Sequence, residues 1–207
     1  MRLNVNPNRM VLLRLRKRLN FARRGHRLLK DKLEGLIKEF SSLVDAYKKQ
    51  RILIDNALPE ILKTFLLAKA ASSSEEIIED ALNYPKGQLL IRISQKNIMN
   101  VMIPQLTIEG QVDLFSYGLM NTPLELDYAL TSLREIFPDI LKAAELEATV
   151  RLMAQEIGKV RRRVNALEYY LIPQLEETVR FIRFKLDEID RSNNARLMKI
   201  KDIIRSH

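Results

Sequence analysis

Two histidines, His26 and His207, are the only imidazoles in a chain without cysteine, so the side chains most used for acid–base, nucleophilic or metal chemistry are nearly absent. Near opposite ends of the sequence, they form no metal pair by spacing, although folding could bring the ends together. Carboxylates are more plentiful. Glu75 and Glu76 are adjacent, as are Glu176 and Glu177, and Asp187, Glu188 and Asp190 make a short acidic run. These read as helix-surface charges and ion-pair partners rather than acid/base dyads. The six glycines are scattered, and no Gly-Lys-Ser/Thr loop is present to cradle a phosphate. The sequence names no catalytic, cofactor-binding or metal-binding residue, and it reads as non-catalytic.

Charge is the stronger signal. Residues 1–30 hold ten Lys/Arg and no acid: Arg2, Arg9, Arg14, Arg16, Lys17, Arg18, Arg23, Arg24, Arg27 and Lys30. The rest of the chain is balanced, with 25 basic and 26 acidic residues. Such asymmetry points to an acidic partner: a protein surface, nucleic acid or anionic lipid. Lacking cysteine, the chain has no disulfide framework, which fits a reducing compartment. No segment approaches the roughly 18 apolar residues of a membrane span, and MRLNVNPNRM has no signal-peptide core.

The elements that carry these charges are helical. Asn6-Pro7 predicts a helix start, with Asn6 as N-cap and Pro7 at the first helical position. From there residues recur with 3,4 spacing: Leu12, Leu15, Leu19, Ala22, His26, Leu29, Leu33, Leu36, Phe40, Leu43, Tyr47, Gln50 and Ile54. Pro59 predicts a kink or break, after which Ile61, Phe65 and Ala68 resume the pattern. Thr122-Pro123-Leu124-Glu125 is a capping box that opens another helix, with a bend near Pro138. A second seam follows through Leu146, Val150, Met153, Ile157, Val160 and Val164. It continues through Leu167, Leu171, Leu175, Val179, Ile182 and Leu186, then Ile189, Asn193, Leu197, Ile200 and Ile204. Between Leu167 and Val179 the spacing slips to consecutive fours around Pro173, a stutter that unwinds the supercoil locally. Sustained 3.5-residue periodicity predicts a left-handed coiled coil.

Between the seams the pattern changes. Ser72, Ser73, Ser74, Glu75 and Glu76 predict a cap for a short helix to about Leu82, and Asn83-Tyr84-Pro85-Lys86-Gly87 reads as a turn. Leu89, Ile91 and Ile93, then Met99, Val101 and Ile103, alternate with other residues on either side of Gln95-Lys96-Asn97. That predicts a β-hairpin over about 88–108, with Pro104 near an edge.

More than sixty helical residues after Pro138 would run roughly 100 Å at 1.5 Å each, whereas a compact chain of this length has a radius of gyration near 17 Å. The expected architecture is therefore mainly α: a long antiparallel two-helix coiled coil with a short middle region containing the hairpin. Residues 1–207 are expected to form one elongated unit, with an N-terminal helix over 7–71, a middle region over 72–122 and a C-terminal helix over 123–207 bent near Pro138 and Pro173. Gly25 falls inside the first helix, where glycine costs about 1 kcal/mol relative to alanine; either another backbone approaches closely there or the glycine is simply tolerated. Pairing the helices from their tips puts position 25 opposite Asp187 or Glu188 and places Arg161, Arg162 and Arg163 near Gln50. His26 would then hydrogen-bond an acid of the facing helix.

The leucines decide how the basic block is read. A DNA-gripping basic region projects beyond its zipper and needs no seam of its own. Here Leu12, Leu15, Leu19, Ala22 and Leu29 run straight through the arginines, which places the block in a paired helix. That argues for protein contact over groove reading, although the outer face remains free to meet phosphate. The rival reading is a coiled-coil nucleic-acid-binding or scaffold protein.

NVNPNRMVLLRLRKRL, ARRGHRLLKDK and KVRRRVNALEYYLIPQLEETVRFIRFKLDEIDR, with the Leu67-Ala68-Lys69 stretch and the hairpin, resemble the D subunit of the V-type and A-type ATPases or ATP synthases. Asn8, where the family often has Thr, and SNNA at 192–195 depart from the pattern without touching the architecture. The resemblance implies a central rotor shaft whose termini enter the hexamer of catalytic A and B subunits. It implies further partners in the F subunit and, at the membrane-ring end, the C (or d) subunit. Turning the shaft would couple ATP hydrolysis or synthesis to proton or sodium transport. The chain itself would bind no nucleotide, enter no membrane and sit peripherally on the cytoplasmic side. Under this reading Arg9, Arg14, Arg16, Lys17, Arg18, Arg23 and Arg24 run in an acid-bearing collar of the head, Arg161, Arg162 and Arg163 meet its underside, and the hairpin lies near the foot.

Overall fold

The computed structural model describes residues 5–72, 86–110, 112–115, 117 and 122–205. The short helix predicted over 72–82, apart from Ser72, lies outside them, as do 83–85 and His207. The elements are α1 (Arg9–Ala71), β1 (Lys86–Gly87), β2 (Leu90–Ile98), β3 (Val101–Glu109), β4 (Val112–Asp113), α2 (Leu124–Asn165), a π-helical segment (Ala166–Leu171) and α3 (Ile172–Arg205). The fold is mainly α, with long helices before and after a mid-chain hairpin, as the periodicity predicts. Contacts divide the chain into two compact units, Met1–Gly35 with Ile157–His207, and Leu36–Glu156.

In the first unit the start of α1 is capped by Asn8, not Asn6. The Asn8 side chain accepts from the Met10 amide at 3.1 Å, and its carbonyl accepts from Leu12 at 2.9 Å. Pro7 therefore precedes the cap, and α1 opens two residues later than expected. Leu15, Leu19 and Ala22 of α1 pack with Leu175 and Ile182 of α3, flanked by Leu12, Leu171, Val179 and Leu186. Burial of the leucine and isoleucine side chains among them stabilises by about 1.5–3 kcal/mol each. One guanidinium nitrogen of Arg9 donates to both carboxylate oxygens of Asp190, at 2.9 and 3.1 Å, and Arg23 donates to Glu176 at 2.6 Å, so the two helices of the pair run antiparallel.

This register corrects the expected one. His26 does meet an acid of the facing helix, but it is Glu168 at 3.2 Å rather than Asp187 or Glu188. The cause lies at the far end: α1 begins opposite Asp190, and residues 191–205 of α3 are all exposed. The predicted second seam consequently stops at Leu186. Leu197, Ile200 and Ile204 continue the spacing but stand 63, 52 and 70% exposed, with no described residue of α1 left to cover them. Gly25 has no close neighbour either; a Cβ there would meet open space, so the backbone-approach explanation fails.

The stutter has a definite structure. Around Pro173, residues Ala166–Leu171 widen into a π-helix, and the Ile172 amide donates to Leu167, five residues back. Proline has no amide and its ring crowds the carbonyl four residues earlier, so a wider turn before it relieves the clash.

In the second unit α1 again runs antiparallel to α2, with Tyr47 to Glu147 at 3.5 Å and Gln50 to Asp139 at 2.8 Å. Pro59 and Pro138 lie inside α1 and α2 without ending either helix. Ile54 and Ala68, on either side of Pro59, are both buried. Thr149 and, in the first unit, Thr178 are buried at seam positions that the periodicity assigns to the neighbouring Val150 and Val179. Each hydroxyl bonds back to the carbonyl four residues earlier, at 2.8 and 2.7 Å.

The hairpin turns at Met99-Asn100, not at Gln95-Lys96-Asn97. Ile98 pairs with Val101, and both turn residues have positive φ, 50° and 67°. Such a two-residue turn matches the twist of its strands, and Asn tolerates that conformation. The Asn97 side chain secures it by accepting from the Asn100 amide at 2.9 Å. The polar trio lies within β2, which is exposed along nearly its whole length. β1 pairs with β4, giving a hairpin over 86–113. The Leu106 amide points out of the ladder to Glu145 of α2 at 3.0 Å. Pro104, two residues earlier, faces the same way, so its missing amide costs no ladder bond.

Candidate interaction surface

α1 is regular through the basic block, so its 3,4 positions turn inward and the arginines between them turn out. Arg9, Arg14, Arg16, Lys17, Arg18, Arg23 and Arg24 are all exposed. Two of them are held: Arg9 by Asp190 and Arg23 by Glu176. Exposed pairs of this kind contribute about 1 kcal/mol or less, so they orient the guanidinium groups more than they stabilise the fold. Arg14, Arg16, Lys17, Arg18 and Arg24 make no ion pair among the described residues. Arg161, Arg162 and Arg163 are exposed near the end of α2. They belong to the first unit, while Gln50 faces Asp139 in the second, which corrects their expected neighbour.

The sequence reading missed what α3 adds. Arg183 joins Arg9 and Arg16 around a groove of about 320 Å³, whose acidic side is Asp187 and Asp190 and whose floor includes Leu12 and Leu186. It also missed apolar residues standing off the seam: Met10, Leu13, Phe21, Leu28, Tyr169, Tyr170 and Phe184 are all exposed. The signal was present, since these are the apolar residues left over once the 3,4 set is removed. Eight of the ten basic residues in the first thirty are arginine. Arginine and aromatic residues are enriched at protein interfaces while lysine is depleted, so the mixture fits a protein partner.

His26 is half-buried beside Glu168 in a two-membered contact, and no group of three or more potential metal ligands occurs among the described residues. No helix among them is long and apolar enough to cross a membrane. What this surface offers a partner is charge and exposed apolar area.

A family model for the ATP synthase D subunit matches residues 11–202. This chain belongs to the ATP synthase D-subunit family. It is 45% identical over 208 residues to the V-type ATP synthase D subunit of Clostridium botulinum (strain Alaska E43 / Type E3), an alignment spanning 98% of this chain and 97% of the relative. The corresponding protein of Acetivibrio thermocellus is 47% identical over 206 residues, spanning 98% and 92%. That of Fusobacterium nucleatum is 45% identical over 206 residues, spanning 98% and 97%. Membership of the D-subunit family thus covers the basic segment, the hairpin and nearly all of α3.

Proposed function

We propose that the chain is the central rotor shaft of a rotary V/A-type ATPase, working as one unit over residues 1–207. In this reading it is a non-catalytic component, peripheral on the cytoplasmic side of the membrane. Its basic end enters the hexamer of A and B subunits, and other parts bind the F subunit and the C (or d) subunit above the membrane ring. ATP hydrolysis or synthesis in the head is thereby coupled to proton or sodium transport. The observation that carries the reading is the apolar seam through the basic block, in a chain that matches the D-subunit family over residues 11–202. Leu15, Leu19 and Ala22 are buried against α3, and the arginines between them ring a paired, stiff segment. A shaft needs that combination of torsional resistance and outward charge. It must also be asymmetric to favour one of three equivalent catalytic interfaces, and the π segment beside a regular α1 supplies such asymmetry.

The test is assembly. Mixed with purified A, B and F subunits and weighed by native mass spectrometry, the chain should enter at one copy per three A and three B. A folded chain that stays outside the head overturns the proposal and returns the arginines to the nucleic-acid reading, where retention near physiological salt would be decisive.

A further inference from the structure

Two irregularities face each other in the first unit. On one side Ala166–Leu171 widen into the π segment, which buries none of its residues. On the other, Gly25 interrupts α1. Proline aside, glycine is the least favourable residue in a helix interior, and nothing lies within 4 Å of where a Cβ would stand, so packing gives no reason for it. His26 Nε2 lies 3.2 Å from a carboxylate oxygen of Glu168, which puts the glycine and the π segment at one level of the pair.

The seam is thin at that level. In α1 no residue from 23 to 35 is buried, whereas Ala22 and Leu36 on either side are. On the facing side none from 165 to 174 is buried, whereas Val164 and Leu175 are. Leu29, Leu33, Leu167 and Leu171 keep the rhythm but stay half-buried. Local opening is easiest where few apolar groups are covered. A π turn is also a place where helices bend, and glycine frees the backbone further. Both occur here together. The contact across the middle of the gap is polar, between a half-buried imidazole and a carboxylate that is 48% exposed, and the Arg23–Glu176 pair closes one edge.

We propose that this level is a compliant joint in the helix pair, with the His26–Glu168 contact as the latch that keeps it closed, and that the assembled shaft takes up twist here. The part about twist rests on the rotor reading; the joint itself does not.

Hydrogen exchange of the full chain, read by mass spectrometry, tests the joint. Amides of 23–35 and 165–174 should exchange roughly tenfold or more faster than those of 13–22 and 175–186. Glu168→Ala should speed 23–35 by a further factor of roughly three while leaving 13–22 unchanged. Those amides lie on the other helix, so the helix propensity of the new alanine cannot produce the change. Gly25→Ala, alone or with Tyr170 deleted, should slow exchange over 23–35 about fivefold, the glycine-to-alanine difference in helix propensity. Even protection along both helices, or a Glu168→Ala variant that exchanges like the wild type, overturns the joint. In a surface-fixed A/B head, with a bead on Ser94→Cys, the chain carrying Gly25→Ala and lacking Tyr170 should show narrower angular fluctuations at rest than its parent. Equal widths overturn the joint's part in the shaft and leave the rotor reading standing. A parent chain that never joins the head removes the rotor reading, and exchange alone then decides the joint.

Discussion

The Ile172 amide donates to the carbonyl of Leu167, five residues back, and the next residue in line is Pro173, which has no amide to give. The helix is wide there because it must hold extra chain before a proline. Shortening the segment should therefore be tolerated. Deleting Tyr170, which is exposed, should let the segment tighten toward α geometry at small cost. Deleting Glu177, inside regular α3, should rotate Ile182 off the seam and cost at least about 3 kcal/mol, comparable with losing a buried aliphatic side chain. Urea unfolding of the two deletions checks this; equal losses would mean that the π segment absorbs nothing.

The seam between α1 and α3 ends at Leu186. Ile182→Ala should destabilise by about 2–5 kcal/mol, since Ile182 is fully buried. Leu197→Ala should stay within about 0.5 kcal/mol, as surface substitutions do. Comparable losses in thermal unfolding would show that α3 is covered beyond Leu186 after all.

Gly25 sits in α1 with open space where a Cβ would go. Gly25→Ala should raise stability by about 1 kcal/mol through helix propensity alone. A loss in urea unfolding would reveal a close neighbour at that position.

Tyr117 donates to Asp127 of α2 at 2.5 Å. Burial first, then that hydrogen bond and the carboxylate's charge, push the phenol well above its ordinary value near 10. Below about pH 10 the tyrosine is protonated in both the folded and unfolded chain. Above it the unfolded chain loses the proton first, so stability falls as pH rises. Between about pH 9 and 11 the wild type should lose more stability than Tyr117→Phe, read from thermal midpoints; parallel losses would remove Tyr117 as the cause.

Arg16 and Arg18 are exposed on either side of the α1 seam and make no ion pair among the described residues. Arg16→Glu with Arg18→Glu should weaken binding to the A/B head, with the gap from wild type narrowing as salt rises. Binding isotherms at low and high salt check it, and unchanged affinity would leave the acid-bearing collar without support.

How much of this was legible depended on regularity. Every 3,4 position of α1 from Leu12 to Ile54 is buried or half-buried, because an uninterrupted helix keeps one face inward for its whole length. The exposed arginines followed from the same rhythm. Register did not, because the overhang of α3 past Arg9 and the π segment before Pro173 both shift the pairing while leaving the periodicity of α1 untouched. Thr149 was missed because a hydroxyl that bonds back to its own helix is tolerated at a seam position where the rhythm expects an apolar residue. The hairpin turn was misplaced because Met99, a residue that rarely takes positive φ, holds it together with Asn100. Arg183 escaped notice because it lies on α3, far in sequence from the arginines it joins.

Rotation is the central claim, and watching a single molecule tests it most directly. The chain has no cysteine, so Ser94→Cys on exposed β2 gives one attachment point for a bead once the A/B head is fixed to a surface. The bead should turn in one direction, and only while ATP is supplied. A chain held at one copy in an actively hydrolysing head, with a bead that never turns, would contradict it.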